Sequence, residues 1–142
     1  MESSNPSFEN LNIFQNIPFY FQSVTAGFPS PADDFLEFDL SLDKKFIKHP
    51  SSTFFVRVIG TSMKNAKIFD GSILLIDRQE KVNHNDVVLA VLNGEFTIKR
   101  LKKIDSKLFL YPENPSMKPI EVLEGSECYV WGKVMWSFNQ IT

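Results

Sequence analysis

Two short segments carry residue types that could do chemistry together. Gly60-Thr61-Ser62-Met63 follows directly on a strand-like run, so Ser62 stands where the backbone turns sharply and its hydroxyl can be presented. Lys99 lies within Phe96-Thr97-Ile98-Lys99-Arg100-Leu101. A serine hydroxyl is a poor nucleophile until a base takes its proton, and lysine serves as that base once it is neutral. Moving a lysine from about 10.4 to about 7–8 costs about 3–5 kcal/mol, at roughly 1.4 kcal/mol per unit, and burial must supply it. Taken singly, neither residue is informative: a serine after glycine is ordinarily a turn residue, and a lysine in a strand is ordinarily a solvated edge charge.

Other chemistry-bearing residues read more plainly. His49 precedes Pro50, and His84 sits in the polar cluster Asn83-His84-Asn85-Asp86, so both read as loop residues. Ser41-Leu42-Asp43-Lys44 matches S-x-x-K, but the S-D-N and K-T-G motifs that would complete that penicillin-binding pattern do not follow. Cys128, beside Tyr129, Val130 and Trp131, reads as core. Lys99-Arg100-Leu101-Lys102-Lys103 is the densest basic patch, and at a strand and its exit it reads as a solvated edge that resists aggregation.

The elements that must position Ser62 and Lys99 are strands. Phe54 to Ile59 is rich in β-branched and aromatic residues and stops at Gly60. Ile73-Leu74-Leu75-Ile76 is a short apolar run entered through Asp70-Gly71. Val87 to Leu92, Asn93-Gly94, then Glu95 to Leu101 predicts a hairpin on a type I′ turn, because Asn-Gly accepts two positive φ angles. In that register Lys99 stands opposite Val88, with Ala90, Thr97 and Leu101 on its face, and such neighbours strip water from the amine. Lys107 to Tyr111 is a further strand ended by Pro112-Glu113-Asn114-Pro115, and Cys128 to Phe138 is the last, broken or bulged at Gly132. A helix is expected only over Asp34–Lys48. The fold class is mainly β.

With 142 residues there is length for one domain and a tail. The 43% hydrophobic and 13% aromatic content exclude wholesale disorder. Net charge is −2, which excludes a global basic field for gripping DNA or an anionic membrane. A single cysteine and two histidines give neither a disulfide framework nor a Cys/His zinc site, and no metal or other cofactor is expected. No apolar stretch reaches the roughly 20 residues of a membrane helix, so no membrane partner is expected and a reducing, cytoplasmic setting is. Charge is uneven along the chain. Residues 1–26 hold Glu2 and Glu9 but no Lys or Arg, whereas the remaining 116 carry fifteen charges of each sign. The first stretch, Asn/Gln/Ser-rich with scattered aromatics, runs into Ala26-Gly27-Phe28-Pro29-Ser30-Pro31. It reads as an extended, weakly ordered arm over 1–26, with a hinge and linker over 27–50 and the body over 51–142.

Four runs occur in a fixed order: Val58-Ile59-Gly60-Thr61-Ser62-Met63; Asp70-Gly71-Ser72-Ile73-Leu74-Leu75-Ile76-Asp77; Asp86-Val87-Val88; and Gly94-Glu95-Phe96-Thr97-Ile98-Lys99-Arg100-Leu101. Together they closely resemble the LexA/UmuD family of self-cleaving Ser–Lys peptidases. The resemblance implies a fold of several short, strongly bent strands, with Ser62 as nucleophile and Lys99 as general base. It implies self-cleavage before a glycine, and Ala26–Gly27 is similar to that target. Ala and Gly flank the bond with almost no side chain, and Val24 and Phe28 are placed to fill apolar pockets on either side. About 26 residues before that bond, without basic charge or helical period, match the family's UmuD branch, which lacks the repressors' DNA-binding domain. That branch implies a homodimer, cleavage stimulated by the RecA–single-stranded DNA filament, and a truncated form that joins a UmuC-type translesion polymerase in the SOS response. Direct DNA binding is disfavoured by the neutral body.

Two other readings compete. Val24-Thr25-Ala26 fits a signal-peptidase site by its small residues, but there is no positive n-region, and Gln15, Asn16 and Gln22 interrupt the apolar stretch. The alternative from another class is a non-catalytic binding module of the same fold that docks on a polymerase or DNA.

Overall fold

The computed structural model describes residues 17–20, 36–40 and 42–141. The chain divides into two compact units, Met1–Lys48 and His49–Thr142. In the first, strands β1 (Ile17–Tyr20) and β2 (Leu36–Leu40) pair antiparallel, Ile17 opposite Leu40, and a short helix α1 spans Leu42–Phe46. The helix expected over Asp34–Lys48 is thereby corrected. Its first half holds a strand, because Leu36-Glu37-Phe38-Asp39-Leu40 alternates apolar and acidic residues at the period of a sheet. Within the arm, Ile17–Tyr20 is a strand; the rest of residues 1–26 lies outside the described residues.

The second unit is one seven-stranded sheet, β3 (Thr53–Arg57), β4 (Ile73–Asp77), β5 (Val87–Leu92), β6 (Glu95–Ile104), β7 (Lys107–Tyr111), β8 (Ile120–Val122) and β9 (Cys128–Phe138). Its spatial order is β3-β4-β9-β5-β6-β7-β8, with every neighbouring pair antiparallel. The mainly β class read from the sequence holds. The β5–β6 hairpin turns at Asn93 (φ 51°) and Gly94 (φ 84°), the I′ signature, and Val88 faces Lys99 across it. A second two-residue turn, Asp105 (φ 50°) and Ser106 (φ 67°), joins β6 to β7, so β6 runs on to Ile104, three residues beyond the expected end.

Two apolar clusters lie on the two faces of β5. Leu89 joins Met63, Ile68, Leu74 and Ile76 on one side, whereas Val88 and Ala90 join Leu110 on the other. A strand buried on both faces must be apolar throughout, which is why Val87 to Leu92 shows no polar alternation. The long central strand β9 serves both sides through two bulges. One extra residue, Trp131, falls between the partners of Leu89 and Ala90, and another, Met135, between the partners of Leu75 and Ile76. The bulges flank the expected break at Gly132. There the backbone passes so close to β4 that a Cβ would lie 2.6 Å from Ile76 Cγ2 and 3.3 Å from the Asp77 carbonyl oxygen.

At the end of β4, Asp77 is 1% exposed. Its carboxylate receives His49 Nδ1 at 2.6 Å and the Gln79 N–H at 2.9 Å. Burial raises the carboxyl pKa, but the His49 hydrogen bond, the Gln79 and Glu80 N–H groups and the His49 charge outweigh it and hold Asp77 below its ordinary value. His49 lies in a loop as expected, with a structural partner the sequence did not reveal.

Two stability predictions follow from these contacts. Gly132→Ala drives a methyl into β4 and is expected to cost about 1–3 kcal/mol in denaturant unfolding. A depressed carboxyl pKa gives stability that is present above the ordinary value of 3.8 and lost as pH falls through the folded-state value. In His49→Ala, burial is opposed only by backbone N–H groups and a long Ser52 hydroxyl contact at 3.5 Å, so the variant should be less stable at neutral pH by about 1–3 kcal/mol. It should also lose less stability on acidification, which urea unfolding at about pH 7 and about pH 3 would measure.

Candidate active site

Ser62 sits on the connection between β3 and β4, which hydrogen bonds close at its base and fold back on itself. The Val58 N–H donates to the Ser72 carbonyl at 2.8 Å, and the Gly71 N–H donates to the Val58 carbonyl at 2.8 Å. Gly60 takes φ +103°, a conformation costly for any residue with a Cβ, and its N–H donates to Asp70 Oδ1 at 2.8 Å. Met63, 2% exposed, is driven into the cluster around Leu74 and Ile76, and this anchors the backbone beside Ser62. A 3₁₀ turn over Lys64–Ala66 follows, and Lys67 (φ 64°) ends it. The serine is therefore held from both sides: a sharp turn before it, a core anchor after it.

Lys99 reaches the same point from β6. Its Nζ donates to Ser62 Oγ at 3.2 Å, to Thr97 Oγ1 at 2.8 Å and to the Ile98 carbonyl at 3.1 Å. The two residues that sequence reasoning singled out, 37 positions apart, are thus brought together. Both are half-buried in the wall of a cleft of about 450 Å³, lined largely by apolar side chains including Phe54, Val56, Leu89, Phe96, Ile98 and Trp131. Burial pushes the Lys99 amine below its ordinary value. No anion pairs with it among the described residues; its three contacts are neutral oxygens. When the proton is lost, two N–H bonds to Thr97 and Ile98 can stay in place while the lone pair turns to Ser62, whose hydroxyl then donates. That is the arrangement a general base needs.

At the mouth of the cleft, Trp131 packs against Phe96, ring centroids 5.2 Å apart, and Arg78 lies 4.9 Å over the same indole. Trp131 is the extra residue of a β9 bulge, which aims it at the cleft. Nothing local in the sequence marks this position, since it depends on register. Val24, Ala26, Gly27 and Phe28 lie outside the described residues. Cys128 is half-buried against the Val88 and Leu110 cluster, and burial raises its thiol pKa, as suits a core position. His84 stays away from the site; its Nδ1 accepts the Lys103 N–H at 2.9 Å. The one group of metal-ligating residue types among the described residues, His49, Asp77 and Glu80, has its Nδ1 engaged by the Asp77 carboxylate. No described helix is long and apolar enough to cross a membrane.

Comparison with known proteins agrees with the motif reading. Residues 18–135 match the family described as Peptidase S24-like. The chain is similar to Protein MucA of Salmonella typhimurium, 38% identical over 123 residues that cover 86% of this chain and 84% of MucA. It is 44% identical to Protein ImpA of Escherichia coli over 108 residues, 68% of this chain and 74% of ImpA. LexA repressor 2 of Geobacter sulfurreducens is 37% identical over 119 residues, 83% of this chain and 58% of the repressor.

A half-buried lysine weighs on stability. Below its lowered folded-state pKa, Lys99 is an ammonium penalised by burial; above the ordinary 10.5 it is neutral in folded and unfolded chains alike. Lys99→Met keeps the apolar stem and removes the charge. The variant should melt higher than wild type at neutral pH, and the difference should shrink as pH rises toward 10.5.

Proposed function

Since this chain belongs to the Peptidase S24-like family, we propose that it is a UmuD-like autopeptidase that cleaves its own Ala26–Gly27 bond. Lys99 takes the Ser62 proton as Oγ attacks the Ala26 carbonyl carbon, forming a tetrahedral adduct. Collapse of the adduct breaks the C–N bond, and the lysine proton passes to the leaving Gly27 amine. A water molecule, deprotonated by Lys99, then releases residues 1–26 from the Ser62 ester, and the serine regains its proton. The Ser62 and Met63 N–H groups have no acceptor among the described residues, which leaves them to serve as donors to the developing oxyanion. Each chain reacts essentially once, so the protein acts as a switch.

The observation that carries this reading is the 3.2 Å contact between Lys99 Nζ and Ser62 Oγ in the wall of an apolar cleft. Val24 and Phe28 supply the apolar side chains such a cleft accepts. The resemblance to MucA, ImpA and the UmuD branch supports the setting: a cytoplasmic homodimer, stimulated by the RecA–single-stranded DNA filament during the SOS response. Residues 27–142 then join a UmuC-type translesion polymerase.

Intact mass after incubation of the purified chain at about pH 10, where a lysine with a lowered pKa is deprotonated, tests the chemistry. Wild type should yield a species beginning at Gly27, whereas Ser62→Ala and Lys99→Ala should yield none and keep the fold. The rate should climb with pH and level off below the ordinary lysine value, because burial lowers the Lys99 pKa. Gly27→Lys should block cleavage from the substrate side. Near-normal cleavage by Lys99→Ala would sink the Ser–Lys assignment. A wild-type chain that stays intact, with or without activated RecA filament, would be a binding module.

A further inference from the structure

The turn after β7, Pro112-Glu113-Asn114-Pro115, is more than a strand terminator. Asn114 is 6% exposed although its side chain is polar, and all of its bonds are local or aimed at the Ser62 loop. Its Oδ1 accepts the Ser116 N–H at 3.1 Å and the Ser116 hydroxyl at 2.8 Å. With the oxygen so committed, the amide must present Nδ2 in the other direction, where it donates to the Thr61 carbonyl at 2.9 Å. The preceding residue grips the other flank: the Asn65 N–H donates to the Glu113 carbonyl at 2.8 Å. Thr61 and Asn65 bracket Ser62, so two adjacent turn residues hold the nucleophile's backbone before and after it.

The same turn is tied to the strand that carries the lysine. Arg100, the residue after Lys99, pairs with Tyr111 in the β6–β7 ladder. Its guanidinium donates through Nε to the Glu113 carboxylate. Lys99 and the Ser62 loop are thus referenced to one another through Arg100, Glu113 and Asn114, and proline on both sides of the Glu113-Asn114 pair restricts the turn. We propose that Asn114 is a positioning residue that fixes the Ser62 loop at hydrogen-bonding distance from the Lys99 amine. The proposal rests on the peptidase reading above for its catalytic consequence. A displacement of about 1 Å at a reacting group can cost on the order of 100-fold in rate, so a single misplaced carbonyl suffices.

The test uses the full chain, with cleavage followed across pH and amide hydrogen exchange read by peptide. Asn114→Ala removes both arms; Ser116→Ala keeps the amide and its bond to the residue 116 N–H but removes the hydroxyl that also fixes Oδ1, and serves if the first variant fails to fold. For Asn114→Ala, the plateau cleavage rate should fall about 10- to 100-fold. The pH midpoint should stay where it is, because Thr97 and Ile98 still hold Lys99. Exchange should rise over residues 60–66 and not over β4 or β9. Ser116→Ala should move rate and exchange in the same directions by less. Cleavage within about twofold of wild type, a shifted midpoint, or exchange raised evenly over the sheet would overturn the proposal. Should wild type itself not cleave, the peptidase reading fails, and the exchange pattern alone decides whether Asn114 places the loop.

Discussion

A lysine amine partly withdrawn from water and yet within reach of a hydroxyl is the constraint on which the rest of the second unit depends. In water the amine would be an ammonium and chemically idle; in an apolar wall without neighbours it would have no reason to face Ser62. The sheet meets both demands with β6. Pairing with β5 sets Lys99 opposite Val88, deep in the ladder. Thr97 and the Ile98 carbonyl give the amine two fixed hydrogen bonds, which leaves its remaining direction for the serine. Every partner is neutral, so nothing offsets the loss of solvation that favours the free base.

The opposite member of the pair has the harder structural problem, because Ser62 is on a loop and loops move. The solution is to treat the loop as part of the core. Met63 is buried among Leu74 and Ile76, Gly60 takes a backbone conformation closed to most residues, and hydrogen bonds from Val58, Gly71 and Gly60 cross its base. The β7 turn then grips the loop from the side. Stability and the placement of the hydroxyl are coupled here, since the contacts that keep the unit folded are the same ones that hold the hydroxyl still.

Much of this was legible in the sequence, for identifiable reasons. Asn93-Gly94 has a single favoured turn geometry, and counting outward from it gives the partner of Lys99 without any tertiary knowledge. Gly60 before Ser62 announces a sharp turn after a strand. Less legible were features that depend on distant partners. Asp105-Ser106 adopts the same positive φ angles as Asn93-Gly94 but lacks glycine, so only the pairing of Ile104 with Lys107 reveals a hairpin. The strand Leu36–Leu40 was hidden by its place within a stretch read as helical, and β8 is only three residues long. His49 and Asn114 were read as loop and turn residues, which they are. Their bonds to Asp77 and Thr61 span 28 and 53 positions, beyond any local signal.

The two extra residues of β9 have a consequence for how its sequence must be parsed. Side chains alternate along a strand, so each bulge reverses the parity of everything after it. Cys128 and Val130 face the Val88 cluster, Val134 faces the Leu89 cluster, and Trp136 stands opposite Leu75, back on the first side. The strand is thus written in three frames, with the middle one inverted and the second shift restoring the phase lost at the first. Deleting Trp131 or Met135 alone would remove one bulge and leave every other β9 residue opposite its present partner. A deletion at either bulge is therefore absorbed without a change of register, whereas a deletion elsewhere in β9 moves the residues beyond it to the opposite face until a bulge takes it up.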